Sequence, residues 1–128
     1  MSECILNLLP LHEGEREEFE AIAPDAVHAY ARSSTVTPEQ IAAATVMFGW
    51  PRPEMMKGAA SLKWFQTMWA GTEEYAGSLP DGILFTSSSG SNSRSVAEHM
   101  LTGLMAVCRR LPTYLDNQRA HVWKDEGP

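Results

Sequence analysis

Apolar residues along this chain fall into short runs cut by turn-forming residues, and the runs alternate with stretches of helical spacing. Cys4–Leu9 is a short apolar run stopped by Pro10, the pattern of a strand with a sharp end. Glu13–Ala23 follows, with Phe19, Ile22 and Ala23 on one side and acids on the other. Its glutamate-rich first turn suits a helix N-terminus. Val27–Ala31 predicts a second strand. Thr37-Pro38-Glu39-Gln40 combines a capping box with proline at the first helical position and opens a short helix to about Ala44. Three more strands are predicted at Thr45–Gly49 (broken by Pro51 and Pro53), at Leu62–Met68, and at Ile83–Thr86, entered through Pro80-Asp81-Gly82. Strands alternating with helices imply an α/β fold: a mostly parallel five-stranded sheet, helices on both faces, right-handed crossovers.

The last third follows another rule. Ser93–Leu111 has a second capping box, Ser95-Val96-Ala97-Glu98, and ends in Arg109 and Arg110, where the helix dipole favours cations. Between them, apolar residues such as Val96, Met100, Leu101, Leu104, Met105 and Cys108 cover nearly the whole circumference. A helix apolar on all sides needs burial on all sides, which one layer against a five-stranded sheet cannot supply. Pro112 starts a further helical stretch through Leu115 and Gln118 to Val122 and Trp123. This tail therefore calls for a second domain, a second copy of the chain, or both. A homodimer through the helices of residues 93–123 is the expectation, because a bare apolar patch of that size is unfavourable in water.

With 128 residues, 44% of them hydrophobic and 20% charged, the chain is long enough for one ordinary core. Sixteen acids against ten bases give a net charge of −6 with no basic run, which argues against nucleic acid or an anionic membrane as partner. Cys4 and Cys108 have no metal or redox spacing and are expected to be small buried hydrophobes. No stretch near the start resembles a signal h-region or a spanning helix, and the chain is read as cytoplasmic.

In a parallel α/β sheet, ligands bind beyond the carboxyl ends of the strands. That directs attention to Pro10–His12, Trp50–Arg52, Trp69–Gly71 and Ser87–Arg94. The serine-rich segment Thr86–Ser95 joins a strand to a helix N-terminus, where an anion can be held; as a plain connector it needs no ligand. In Met68-Trp69-Ala70-Gly71-Thr72, bare amides could face a ligand at Gly71, or the segment is an ordinary turn into a short helix. His12, His99 and His121 suit a helix surface or other polar surface, and the acids of Glu13–Glu20 a solvated helix face. No HExxH, GxSxG, Walker A or GxGxxG motif is present, and neither a metal set nor an acid–base pair with a nucleophile is visible. The chain does not read as a complete catalyst.

Several stretches, in order and spacing, resemble the D-isomer-specific 2-hydroxyacid dehydrogenases, and within them the phosphoglycerate dehydrogenase-like branch. They are Leu62-Lys63-Trp64-Phe65-Gln66 with Ala70-Gly71, then Gly82-Ile83-Leu84-Phe85-Thr86 with Ser89-Gly90. Val96-Ala97-Glu98-His99-Met100-Leu101 follows, running on to Arg109-Arg110-Leu111-Pro112, Asn117-Gln118-Arg119 and Trp123-Lys124. The resemblance implies a flavodoxin-like substrate-binding domain over residues 1–90. Residues 91–128 would then be crossover and dimerisation helices leading to a Rossmann domain that binds NAD or NADP. It implies reversible hydride exchange between a 2-keto acid and a D-2-hydroxy acid. The amides of Ala70 and Gly71 match the loop that holds the substrate carboxylate, Trp50 and Arg52 border the substrate pocket, and Val96 lies near the nicotinamide. The family's glycine motif and its catalytic arginine, acid and histidine fall after the last residue here; none of His12, His28, His99 or His121 matches that histidine. The expectation is an amino-terminal piece, without catalytic residues of its own and inactive alone. The competing reading is a stand-alone flavodoxin-like module that binds a phosphate or flavin at Thr86–Ser95, or dimerises through Ser93–Leu111. Against it, Pro10-Leu11-His12 is not the Ser/Thr/Gly-rich loop that flavin would use.

Overall fold

The computed structural model describes residues 2–127. They divide into two compact units, one running to Ser89 and the other starting at Gly90. In the first unit five strands form one sheet: β1 (Cys4–Asn7), β2 (Val27–Tyr30), β3 (Val46–Gly49), β4 (Trp64–Thr67) and β5 (Leu84–Thr86). Their order is β2-β1-β3-β4-β5 and every neighbouring pair is parallel. The expected five-stranded parallel α/β architecture is present.

The register explains the core. Leu6, Met47, Phe65 and Phe85 are opposite one another across four strands, so they share a face. Leu6, Met47 and Phe65 are fully buried. They cluster with Ile41 from α2 (Pro38–Ala43), Met56 from α3 (Pro53–Met56), and Tyr75 from a 3-10 turn at Glu73–Tyr75. Phe65 stacks on Phe85 at 5.1 Å and meets Tyr75 edge-on at 4.9 Å, a favourable aromatic geometry. The other row, Ile5, Val46, Trp64 and Leu84, is only partly covered, and Leu84 is exposed. There α1 (Glu15–Ile22) contributes Phe19, edge-on to Phe48 at 5.7 Å, which in turn meets Trp64 at 5.3 Å.

Local chemistry sets the element ends. At α2 the Thr37 hydroxyl accepts from the Gln40 amide while the Gln40 side chain accepts from the Thr37 amide, the expected capping box. Pro53 ends the run after β3, as expected, but then serves as the first residue of α3, a turn the hydrophobic pattern does not announce. Ile22 is 82% exposed and not on a buried face, since the eight-residue α1 ends with it and only Phe19 reaches the sheet.

The second unit consists of α4 (Ser93–Cys108) and α5 (Leu111–Arg119). The Ser95–Glu98 capping box does not form. The cap lies three residues earlier, at Asn92, so Ser95 lies inside the first turn and Glu98 pairs with Arg94 at 2.9 Å. The helix stops at Cys108, short of Leu111, because Arg110 adopts a left-handed φ of 51°. A second left-handed residue, His121, follows α5, so the helix does not extend to Trp123. The tail folds back on α5: Tyr114 donates to Asp125, Asn117 to the Glu126 carboxylate, and Arg110 to the Glu126 carbonyl. Neither cysteine is buried as expected. Cys4, at the start of β1 on the same face as Leu6, is only half-covered, and Cys108 is exposed on α4. No helix among the described residues is long and apolar enough to cross a membrane.

Candidate functional site

A cleft of about 1330 Å³ opens where the chain leaves the strands. Its walls are Leu8–Leu11 after β1, Ala31–Thr35 after β2, Trp50–Glu54 after β3, and Trp69 after β4, with Arg16, Tyr30, Glu74 and Tyr75. Parallel strands bring these loops together, since each strand delivers its carboxyl end to the same edge.

Three devices hold the loops. Gly49 ends β3 at φ 125°, and a Cβ there would lie 2.8 Å from Leu8 Cβ, so the β1 and β3 exits approach through a position only glycine fills. The Tyr75 hydroxyl, in a ring 2% exposed, donates to the Pro51 carbonyl at 2.9 Å and ties the 3-10 turn to the Trp50–Arg52 segment. Burial is the main cause that pushes its phenol up to about 12. On β1, the buried Asn7 carbonyl oxygen of the side chain accepts from the Leu9 amide at 2.8 Å, which turns the chain into the cleft wall; the Asn7 amide nitrogen has no partner.

The cleft has an aromatic and a cationic side. Trp50 and Trp69 are 6.2 Å apart with tilted rings. Arg16 lies over the Tyr30 ring at 4.6 Å, and the Tyr30 hydroxyl donates to Glu20 at 3.2 Å. Burial first, and the Glu20 carboxylate second, raise the Tyr30 phenol above its ordinary value.

Of the residues singled out from sequence, Trp50 and Arg52 line this cleft. Ala70 and Gly71 are exposed, immediately past Trp69, and are not part of its wall. Gly71 does face an acid: a Cβ there would meet the Glu73 carboxylate oxygen at 2.6 Å, a flexible group that can swing aside. Val96 belongs to α4 in the second unit and is exposed. In the serine-rich segment, Thr86 bonds to Trp64 and Gln66 and the Ser88 hydroxyl donates to the Thr67 carbonyl, so these side chains brace β4 against the exit of β5. Sequence reading passed over Arg16, Arg32 and Tyr75. Arg32 follows a strand end just as Trp50 does, so the rule that selected Trp50 would have found it; Arg16 and Tyr75 reach the site only through packing.

Among the described residues, no three His, Cys, Asp or Glu side chains cluster as metal ligands. The turn into α4 reads Ser88-Ser89-Gly90-Ser91-Asn92, a single glycine where a pyrophosphate-binding turn needs three.

Fold and cleft together define a five-stranded parallel α/β unit followed along the chain by a long helix, and solved structures that match it are D-isomer-specific 2-hydroxyacid dehydrogenases. A D-isomer specific 2-hydroxyacid dehydrogenase family protein from Aeromonas salmonicida subsp. salmonicida A449 superposes with a TM-score of 0.77 at 20% identity, over 99% of this chain and 42% of that one. D-Lactate dehydrogenase from Aquifex aeolicus, solved with NAD and lactic acid, gives 0.70 at 18% identity, over 98% of this chain and 39% of its own. Phosphoglycerate dehydrogenase from Lactobacillus plantarum gives 0.53 at 20% identity, over 98% and 42%. At these identities the likeness establishes the fold, and the chain spans about two fifths of the length of the proteins it matches. No family model and no curated protein sequence matches the chain.

Proposed function

We propose that this chain is the substrate-holding part of an NAD(P)-dependent D-2-hydroxyacid dehydrogenase. The supporting observation is the cleft at the carboxyl ends of β1 to β4, in a fold whose solved counterparts are such enzymes. The exposed amides of Ala70 and Gly71, which follow the cleft-lining Trp69 in the chain, grip the carboxylate of a 2-keto or 2-hydroxy acid, and Trp50 and Arg52 form a wall that orients its far end. Orientation of this kind accounts for a large share of a bimolecular barrier. Val96 stands near the nicotinamide when a cofactor-binding domain is present. On this reading none of His12, His28, His99 and His121 acts as the proton donor, and the chain by itself turns over nothing. Titration of the ¹⁵N-labelled chain with oxamate, an unreactive 2-keto acid analogue, tests the grip. The Ala70 and Gly71 amide signals and the Trp50 indole signal should move together with one dissociation constant. Movement confined to other residues, or none, would refute the assignment.

The bare apolar surface of α4 supports the second part of the reading, that the helices over residues 93–123 pair with a second copy of the chain. Sedimentation equilibrium should give twice the chain mass; a monomer at all accessible concentrations would count against it.

A further inference from the structure

The exit of β4 is held by a one-way series of hydrogen bonds. The Trp64 indole, which can only donate, gives its proton to the Thr86 hydroxyl at 2.8 Å. Thr86 in turn donates to the Gln66 side-chain oxygen at 2.6 Å. That settles which way round the Gln66 amide lies: its nitrogen faces the Thr67 carbonyl at 2.7 Å and the Ser88 hydroxyl at 3.3 Å. The Ser88 hydroxyl donates to the same Thr67 carbonyl at 3.1 Å, and the Ser88 backbone amide donates to the Trp69 carbonyl at 3.0 Å. Ser88, just past the end of β5, thus holds the carbonyls of both Thr67 and Trp69.

A planar trans peptide points its N–H opposite to its C=O, and the peptide bonds of the described residues are all trans. With the Thr67 carbonyl turned towards Ser88, the Met68 N–H turns towards β3 and donates to the Gly49 carbonyl at 3.4 Å. The same rule fixes the next exit amide. With the Trp69 carbonyl on Ser88, the Ala70 N–H points away from β5. In the order β3-β4-β5 that is the side on which Trp50 and Arg52 follow β3 and line the cleft. Resting on the substrate reading above, we propose that Gln66 and Ser88 are positioning residues for the Ala70 amide: they aim it at the substrate carboxylate and touch no substrate themselves. Thr67 is fully buried, and Gln66, Thr86 and Ser88 are half-buried. Ala70, by contrast, is exposed, and among the described residues its amide has no acceptor. An amide aimed in advance by its neighbours gives up no bond of its own when an anion arrives, which is the gain of preorganised donors.

Amide spectra of the ¹⁵N-labelled whole chain, free and titrated with oxamate, test this in Gln66→Met and Ser88→Ala. Methionine keeps the length of glutamine without its donors, and Ser88→Ala deletes a single hydroxyl, so it decides the matter should Gln66→Met not fold. In the free variants the Ala70 signal should move, while the Leu9 amide, held by Asn7 on β1, keeps its position. Oxamate should bind Gln66→Met about 10-fold more weakly than the unaltered chain, the scale of one hydrogen bond to a charged group, and Ser88→Ala about 3-fold more weakly. A role in packing alone would lower the urea midpoint without moving the Ala70 signal, and would overturn the proposal. So would a moved Ala70 signal with unchanged oxamate affinity. If the unaltered chain binds no oxamate, the substrate reading fails on its own count, and the Ala70 signal alone decides whether the network orients that amide.

Discussion

The two units use hydrophobic residues in opposite ways. In the first, Leu6, Ile41, Met47, Met56 and Phe65 vanish from solvent behind four-residue strands and short helices. In the second, a sixteen-residue helix buries nothing: Val96, Met100, Leu101, Leu104, Met105 and Val107 are each 53–72% exposed. The first unit is thus held by tertiary packing. The second is held by its own backbone bonds and by polar clasps at Tyr114, Asn117 and Glu126, although isolated helices of this length are marginal in water. Apolar content by itself does not locate a core.

Truncation in the first unit therefore carries the largest penalty. Phe65→Ala removes a ring that contacts both Phe85 and Tyr75 and should cost about 3–5 kcal/mol, read as a lower urea midpoint at constant slope. Gly49→Ala comes next, because the new methyl meets Leu8 Cβ at a φ that side chains rarely adopt. Strain and overpacking together suggest about 2–4 kcal/mol. Tyr75→Phe leaves the buried Pro51 carbonyl without its donor and should cost about 1–3 kcal/mol, along with looser anchoring of Trp50 and Arg52.

Tyr75 also gives the first unit an alkaline limit. The unfolded phenol releases its proton near its ordinary value of 10.0, and the folded one holds it to about 12. Stability from this group is intact below pH 10 and drains away as pH rises from 10 towards 12, by at most about 2–3 kcal/mol. Phenolate absorbance should show a late Tyr75 step that accompanies unfolding, beside the separately raised Tyr30 phenol. Tyr75→Phe should remove that late step. A variant whose alkaline unfolding is unchanged would show that the phenol does not control it.

How much of this was legible beforehand follows the same division. The sheet could be read because each strand is an apolar run bounded by Pro, Gly or a cap. Local signals such as Thr37-Pro38-Glu39-Gln40 act within one turn. The Ser95–Glu98 box misled because the motif says what could cap a helix, not where the helix begins; with Asn92 at the cap, Glu98 was free to pair with Arg94. Cys108 was expected to be buried from its apolar neighbours, yet those neighbours are themselves uncovered. Trp50 and Arg52 stood out because they follow a strand directly. Arg16 reaches the same cleft from the first turn of α1, and Tyr75 from a turn well past β4. Such convergence depends on the order of strands in the sheet, which no local pattern specifies.

The smallest effect is also the sharpest comparison. Leu104→Ala deletes as much hydrocarbon as a core leucine truncation, but from a side chain already 59% exposed. In dilute, monomeric protein it should shift stability by no more than about 0.5 kcal/mol, against the several kcal/mol expected at Phe65. Helix propensity even favours alanine slightly over leucine at that position. The result should change with concentration. Where copies associate, the same truncation should weaken the association and lower the melting temperature, since partner binding stabilises only the folded form. A loss of core size in the dilute monomer would mean that α4 is already covered within its own chain, and the contrast between the two units would collapse.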